Sequence, residues 1–199
     1  VVDATPPVIE WYLTNVVVAA GLGCLGWMPD LTETDYLVAA DNCSSVTVTQ
    51  SVAADTVLVL GTNEVVLGIV DEAGNAAYCT NYVVVVDQTP PIIVCYLTNV
   101  VVPADTNCQG RMPDLTGMNY LMAVDNCSSV TATQSVAADT VLGLGTNEVV
   151  VGLVDTAGNT DYYTNYVVVV DQTPPVITGP ADLSVGNDPG QCGAVVTYT

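Results

Sequence analysis

The chain predicts an all-β fold in which small β-sandwiches follow one another in a linear rod, and three observations carry that prediction. The sequence repeats at a period of 84 residues, with residues 1–84 and 85–168 identical at 61 of 84 positions. Each repeat is a succession of short segments rich in Val, Thr, Leu and Tyr, separated by Gly-, Asn- and Asp-containing turns. No stretch shows helical periodicity. Repetition this regular is the mark of an array whose function lies in stacking its units.

The divisions follow from the recurrence of Asp3-Ala4-Thr5-Pro6-Pro7 as Asp87-Gln88-Thr89-Pro90-Pro91 and as Asp171-Gln172-Thr173-Pro174-Pro175. Residues 1–86 form one repeat and 87–170 a second. Residues 171–199 are expected to supply the first strands of an incomplete third. The Pro-Pro pair fixes two φ angles and stiffens the hand-over between units. Within the first unit, strands are expected over 14–20, 36–40, 46–50, 56–60, 63–70 and 78–86. Gly61-Thr62-Asn63 and Asp71-Glu72-Ala73-Gly74-Asn75 serve as separators. Val46-Thr47-Val48-Thr49 alternates as a half-buried strand does, whereas Val16–Val18 and Val83–Val86 are apolar on both faces and call for cover on both sides or by another chain. The Met28-Pro29-Asp30-Leu31-Thr32 insertion, repeated as Met112-Pro113-Asp114-Leu115-Thr116, is expected to form a contact surface.

Composition excludes several functions. The chain has 21 acidic residues against one basic residue, Arg111, and no histidine, for a formal net charge of −20. Such a polyanion repels nucleic acid and anionic membranes and gathers cations. No apolar run is long enough for a transmembrane helix, so no membrane insertion is expected. Without histidine there is no Ser-His or Cys-His pair, and neither a Gly-x-Ser-x-Gly elbow nor a phosphate-binding loop occurs. A non-enzyme is expected. The sequence reads as a piece of a longer, secreted extracellular or cell-surface protein.

Cysteine usage agrees with secretion. Cys24 and Cys43 recur as Cys108 and Cys127, 19 residues apart in both units, and pairing each within its own repeat would contribute roughly 3 kcal/mol per bridge in the chain-entropy model. Zinc is disfavoured, because there are no CxxC pairs. Cys192 has no partner at that spacing. Cys79 and Cys95 stand where the other unit has Tyr163 and Trp11, so a second bridge within one unit is not expected.

The order Asp-x-Thr-Pro-Pro-x-Ile, Asp41-Asn42-Cys43-Ser44, Gly-Thr-Asn-x-Val and Asp71 to Asn75, with Asp125-Asn126-Cys127-Ser128 and Asp155 to Asn159 in the second unit, resembles the hyalin repeat, or HYR domain. The likeness covers essentially the whole chain. It implies an immunoglobulin-like extracellular β-sandwich used in adhesion or as a spacer, often in tandem. The departures are Trp11 and Tyr163, which stand where the family commonly has cysteine.

The recurring turn residues are also candidate Ca2+ ligands, because calcium takes six to eight hard oxygen donors. The candidates are Asp41, Asn42, Asp71, Asn75 and Asp87, with Asp125, Asn126, Asp155, Asn159 and Asp171. The same residues favour turns without any ion, through hydrogen bonds to their own backbone. Asn42 and Asn126 fall in Asn-x-Ser triplets and are candidate N-glycosylation sites. Two functions remain. The first is a structural homopolymer or longer repeat chain, with its units joined head to tail into a filament or surface stalk and completed by strands from a neighbouring chain. The alternative is an adhesin or carbohydrate-binding module, using Trp11, Tyr12, Trp27, Tyr36 and Tyr78 to stack on glycans.

Overall fold

The computed structural model describes residues 2–179 and 181–197. It contains sixteen strands and, among the described residues, no helix; there is accordingly no helix long and apolar enough to cross a membrane. The first unit comprises β1 (Val8–Tyr12), β2 (Asn15–Ala19), β3 (Leu25–Trp27), β4 (Leu37–Ala40), β5 (Val46–Gln50), β6 (Val57–Val59), β7 (Gly61–Asp71) and β8 (Ala76–Val86). The second repeats them as β9 (Ile92–Tyr96), β10 (Val100–Pro103), β11 (Gln109–Arg111), β12 (Leu121–Val124), β13 (Thr131–Gln134), β14 (Val141–Gly143), β15 (Gly145–Val154) and β16 (Thr160–Val170). The chain is thus all-β, with two β-sandwiches in tandem.

Each sandwich has one four-stranded layer, in the order β2-β8-β7-β5 or β10-β16-β15-β13. The opposing layer consists of two pairs, β1 with β4 and β3 with β6, repeated as β9 with β12 and β11 with β14. All pairings are antiparallel except β2 with β8 and β10 with β16. The core lies between the layers. Because strand side chains alternate between faces, Val65, Leu67 and Ile69 of β7 and Val83 and Val85 of β8 point inward and are 0–1% exposed. They meet Leu37 and Leu58 from the opposite layer, and Val149, Val151, Leu153, Val167 and Val169 occupy the same places in the second unit. The expected cover on both faces of the Val-rich strands holds only partly: Val17 and Val101, on the outer face of edge strands β2 and β10, are 61% and 58% exposed.

The structure departs from the sequence-based elements at four places. Strands β1 and β3 were not expected. β1 follows directly on the Pro-Pro pair, and β3 is only three residues long with a central glycine. Gly61-Thr62-Asn63 does not separate strands; it opens β7, where Gly61 takes φ 100° and Asn63 Nδ2 donates to the carbonyls of Val59, Gly61 and Val83. The Met-Pro-Asp-Leu-Thr insertion is core and not a contact surface, since Met28, Leu31, Met112 and Leu115 are all buried. Residues 171–179 and 181–197 contain no strand, in place of the expected first strands of a third unit. β2 and β10 owe their pairing to β8 and β16 far downstream, and the described residues 171–179 and 181–197 offer no equivalent partner. Pro180, Tyr198 and Thr199 of that segment lie outside the described residues.

Candidate inter-repeat junction

The two ends of a sandwich are defined by β8, whose 11 residues span roughly 33 Å at about 3.3 Å each. At its C-terminal end, the Ala20 N–H donates to Val86 O (2.8 Å) and the turn Gly21 to Cys24 closes through Cys24 N–H on Gly21 O. At its N-terminal end lies the Asp71–Asn75 turn, where Asn75 Nδ2 donates to Asp71 Oδ2 (2.7 Å) and to Asp3 O (3.4 Å). Asn159 repeats both bonds, to Asp155 Oδ2 and Asp87 O. Asn75 and Asn159 therefore clamp the linker as donors.

The Asp-Asn-Cys-Ser turn sits at this same N-terminal end. One oxygen of Asp125 organises it, since Oδ2 accepts the N–H groups of Cys127 (2.8 Å) and Ser128 (2.9 Å); Asp41 does the same for Cys43 and Ser44. Oδ1 of each is buried without a hydrogen-bond partner. The linker aspartates behave alike: Asp3 and Asp87 accept the N–H of Thr5 and Thr89 through Oδ1, while Oδ2 is buried and unpartnered. Oxygens of Asp87, Asp125 and Asp155 lie within 4.8 Å of one another, and Asn126 Oδ1 is a further buried, unpartnered oxygen in the same turn. In the first unit the corresponding group is Asp3, Asp41 and the Cys43 sulfur. Asp171 stands apart, exposed and accepting only Thr173 N–H. Asn42 is exposed, with its amide nitrogen 3.1 Å from the Cys43 sulfur.

The first unit's C-terminal end meets the second unit's N-terminal end directly. Asn126 Nδ2 donates to Gly21 O (3.1 Å) and Ala20 O (3.3 Å), and the Cys24 thiol donates to Asn126 O (3.6 Å). Cys127 packs against the first unit's core. Burial, followed by the Cys24 thiol and the Asp87 and Asp125 carboxylates, pushes the Cys127 thiol up to about 12. This geometry corrects the expected pairing within repeats. Cys24 and Cys43, like Cys108 and Cys127, sit at opposite ends of a sandwich, whereas a disulfide needs Cα atoms within about 7 Å. The amide nitrogen of Asn126, the candidate glycosylation site in this unit, is hydrogen-bonded at the junction.

Of the aromatic candidates, Trp11, Trp27 and Tyr78 are exposed, but Tyr12 and Tyr36 pack on the core. Cys79 is buried, and burial raises its thiol pKa; Cys95 is exposed on β9. Tyr163, at the position of Cys79, packs against Tyr96 with ring centroids 4.9 Å apart and the planes inclined at 54°. The junction had one legible signal in the sequence, the repetition of Asp, Asn and Cys at fixed offsets. Which cysteine faced which was not legible.

No protein-family model matches the chain, and no curated protein matches it. Among solved structures, it is similar to human protocadherin-24 EC1-2 at 14% identity, covering 85% of this chain and 99% of that one with a TM-score of 0.40. It is similar to Drosophila N-cadherin EC1-4 at 10% identity, covering 84% of this chain and 50% of that one with a TM-score of 0.39. Human mucin-like protocadherin EC1-2 is 13% identical, with 84% of this chain and 100% of that one covered and a TM-score of 0.34.

Proposed function

We propose that the protein is a structural, extracellular repeat protein of HYR-like sandwiches whose units join head to tail to build or extend a filament or surface stalk. The observation that carries this reading is the junction itself. The end of one unit offers backbone carbonyls and a cysteine, and the start of the next supplies the asparagine that meets them and a cysteine packed on the first unit's core. Such a contact joins two different surfaces, so it does not close on itself in a pair and propagates along an axis. The second unit carries Ala104 and Cys108 where the first carries Ala20 and Cys24, and so presents the same kind of surface to a following unit. Residues 171–179 and 181–197, without strands of their own, belong to the segment that a neighbouring chain's strands would complete.

Calcium fits the junction. The donor set is hard oxygen, three carboxylates converge there, and buried oxygens on Asp87, Asp125 and Asn126 have no hydrogen-bond partner among the described residues. Those residues would hold the ion, which would neutralise their mutual repulsion and tie the linker to the second unit. Asp3 and Asp41 offer the same oxygens in the first unit; the Cys43 sulfur beside them is a soft donor that calcium does not favour.

Electron microscopy of the native particle tests the function. The expected image is an unbranched chain of beads one sandwich wide. Discrete particles the size of one chain, or units gathered side by side, would overturn the reading. Exposed Trp11, Trp27 and Tyr78 favour glycan binding as a second function, which retention on a glycan array would reveal.

A further inference from the structure

We propose that Cys24 and Cys127 are the two halves of a disulfide that bonds each repeat to the next, a covalent staple across the junction. The Cys24 thiol reaches the Asn126 carbonyl, and Asn126 Nδ2 approaches the Cys127 sulfur at 3.3 Å while also holding the Ala20 and Gly21 carbonyls. Both sulfurs therefore lie against the same residue, Asn126. Cys24 is held in this position by a left-handed backbone, φ 62°, which is uncommon for a residue with a side chain. Cys108 repeats that conformation at φ 60°.

The repeat itself supplies the comparison. Ala20 is buried and Cys24 half-buried where the second unit covers them, whereas Ala104 is half-buried and Cys108 exposed in the same positions of the second unit. At the other end, Cys127 is half-buried at the junction and Cys43 is exposed. The burial of these cysteines is thus a property of the junction and not of the sandwich. Cys43 and Cys108 are the two halves left uncovered.

The bond forms by thiol–disulfide exchange with a low-molecular-weight disulfide, such as oxidised glutathione, as the oxidant. One cysteine thiolate attacks a sulfur of the oxidant, giving a mixed disulfide and releasing one thiol. The second thiolate then displaces the other half as a second thiol. Two protein thiols are oxidised to one disulfide, and one oxidant disulfide is reduced to two thiols.

The inference rests on contact between neighbouring units within one chain and stands whether or not chains assemble into filaments. The test is peptide mapping of the whole chain by mass spectrometry after equilibration in a glutathione redox buffer, with free thiols alkylated before digestion. A peptide cross-linked through Cys24 and Cys127 is the expected result, and it persists in the Cys43→Ser/Cys108→Ser double variant. In Cys127→Ser, Cys24 becomes fully alkylated. Cross-links of Cys24 to Cys43 and Cys108 to Cys127, or alkylation of both Cys24 and Cys127 in the oxidised wild-type chain, would overturn it.

Discussion

Two side chains show how single residues stabilise these units. Gln50 accepts the Leu31 N–H through Oε1 (2.7 Å) and donates through Nε2 to Pro29 O (3.2 Å) and Val52 O (2.7 Å), holding the insertion against the core. Gln134 makes the same three bonds. Each backbone group stranded by losing such a partner costs about 1–3 kcal/mol, so Gln50→Leu is expected to destabilise the first unit by at least about 2 kcal/mol in urea denaturation. Asp71 acts through its charge. Burial pushes its carboxyl pKa up, but the Asn75 amide and the N–H groups of Asn75, Gly74 and Ala73 outweigh that and hold it below the usual value. A carboxylate whose pKa is lower in the folded state contributes stability above its unfolded pKa of about 3.9 and loses it as pH falls through the folded value. The difference in urea midpoint between wild type and Asp71→Asn is therefore expected to be full at neutral pH and to close as the pH falls below about 4. A difference independent of pH would exclude the charge as its source.

Strand β3 and the insertion that follows it both depend on close packing. A Cβ at Gly26 would lie 2.8 Å from Val85 Cγ2 and 3.0 Å from Cγ1; at Gly110 the distances to Val169 are 2.7 and 3.0 Å. Val85 is buried and β-branched, so it has little freedom to yield. Gly26→Ala is expected to cost about 1–3 kcal/mol through overpacking. The opposite change is as informative: Leu31 is fully buried, and Leu31→Ala leaves a cavity expected to cost about 2–5 kcal/mol. Thermal denaturation of the two variants checks both values. A near-neutral Leu31→Ala would mean that the insertion lies outside the core.

For the whole chain, the dominant fact is a net charge of −20, concentrated in part where carboxylates of two turns and a linker converge. A cation bound there offsets repulsion that would otherwise loosen the junction. Adding Ca2+ at 100 times its dissociation constant is expected to stabilise the folded chain by about 2.7 kcal/mol, from mass action alone. Asp87→Asn/Asp125→Asn should abolish the response, because it removes two of the three converging charges. A melting temperature unchanged by either Ca2+ or EDTA would remove calcium from the junction.

The period of 84, the turn residues and the alternating Val-Thr segments were enough to establish an all-β tandem array, because strand periodicity and turn chemistry are local properties of the chain. Strand β5 was legible to the residue. Strand β3 was not, because three residues around a buried glycine carry no alternation, and the Met-Pro-Asp-Leu-Thr segment resembled a surface loop until the opposing strands were seen to enclose it. The cysteines show the same limit most clearly. Spacing along the chain suggests Cys24 with Cys43, whereas β3, the insertion and β4 carry the chain between them from one end of the sandwich to the other, and Cys24 meets the Asn126-Cys127 turn of the next unit. Sequence alone determined the kind of unit and its repetition, since those depend on short-range preferences. Tertiary structure alone decided which residues face one another across the junction, since that depends on where each strand ends in space.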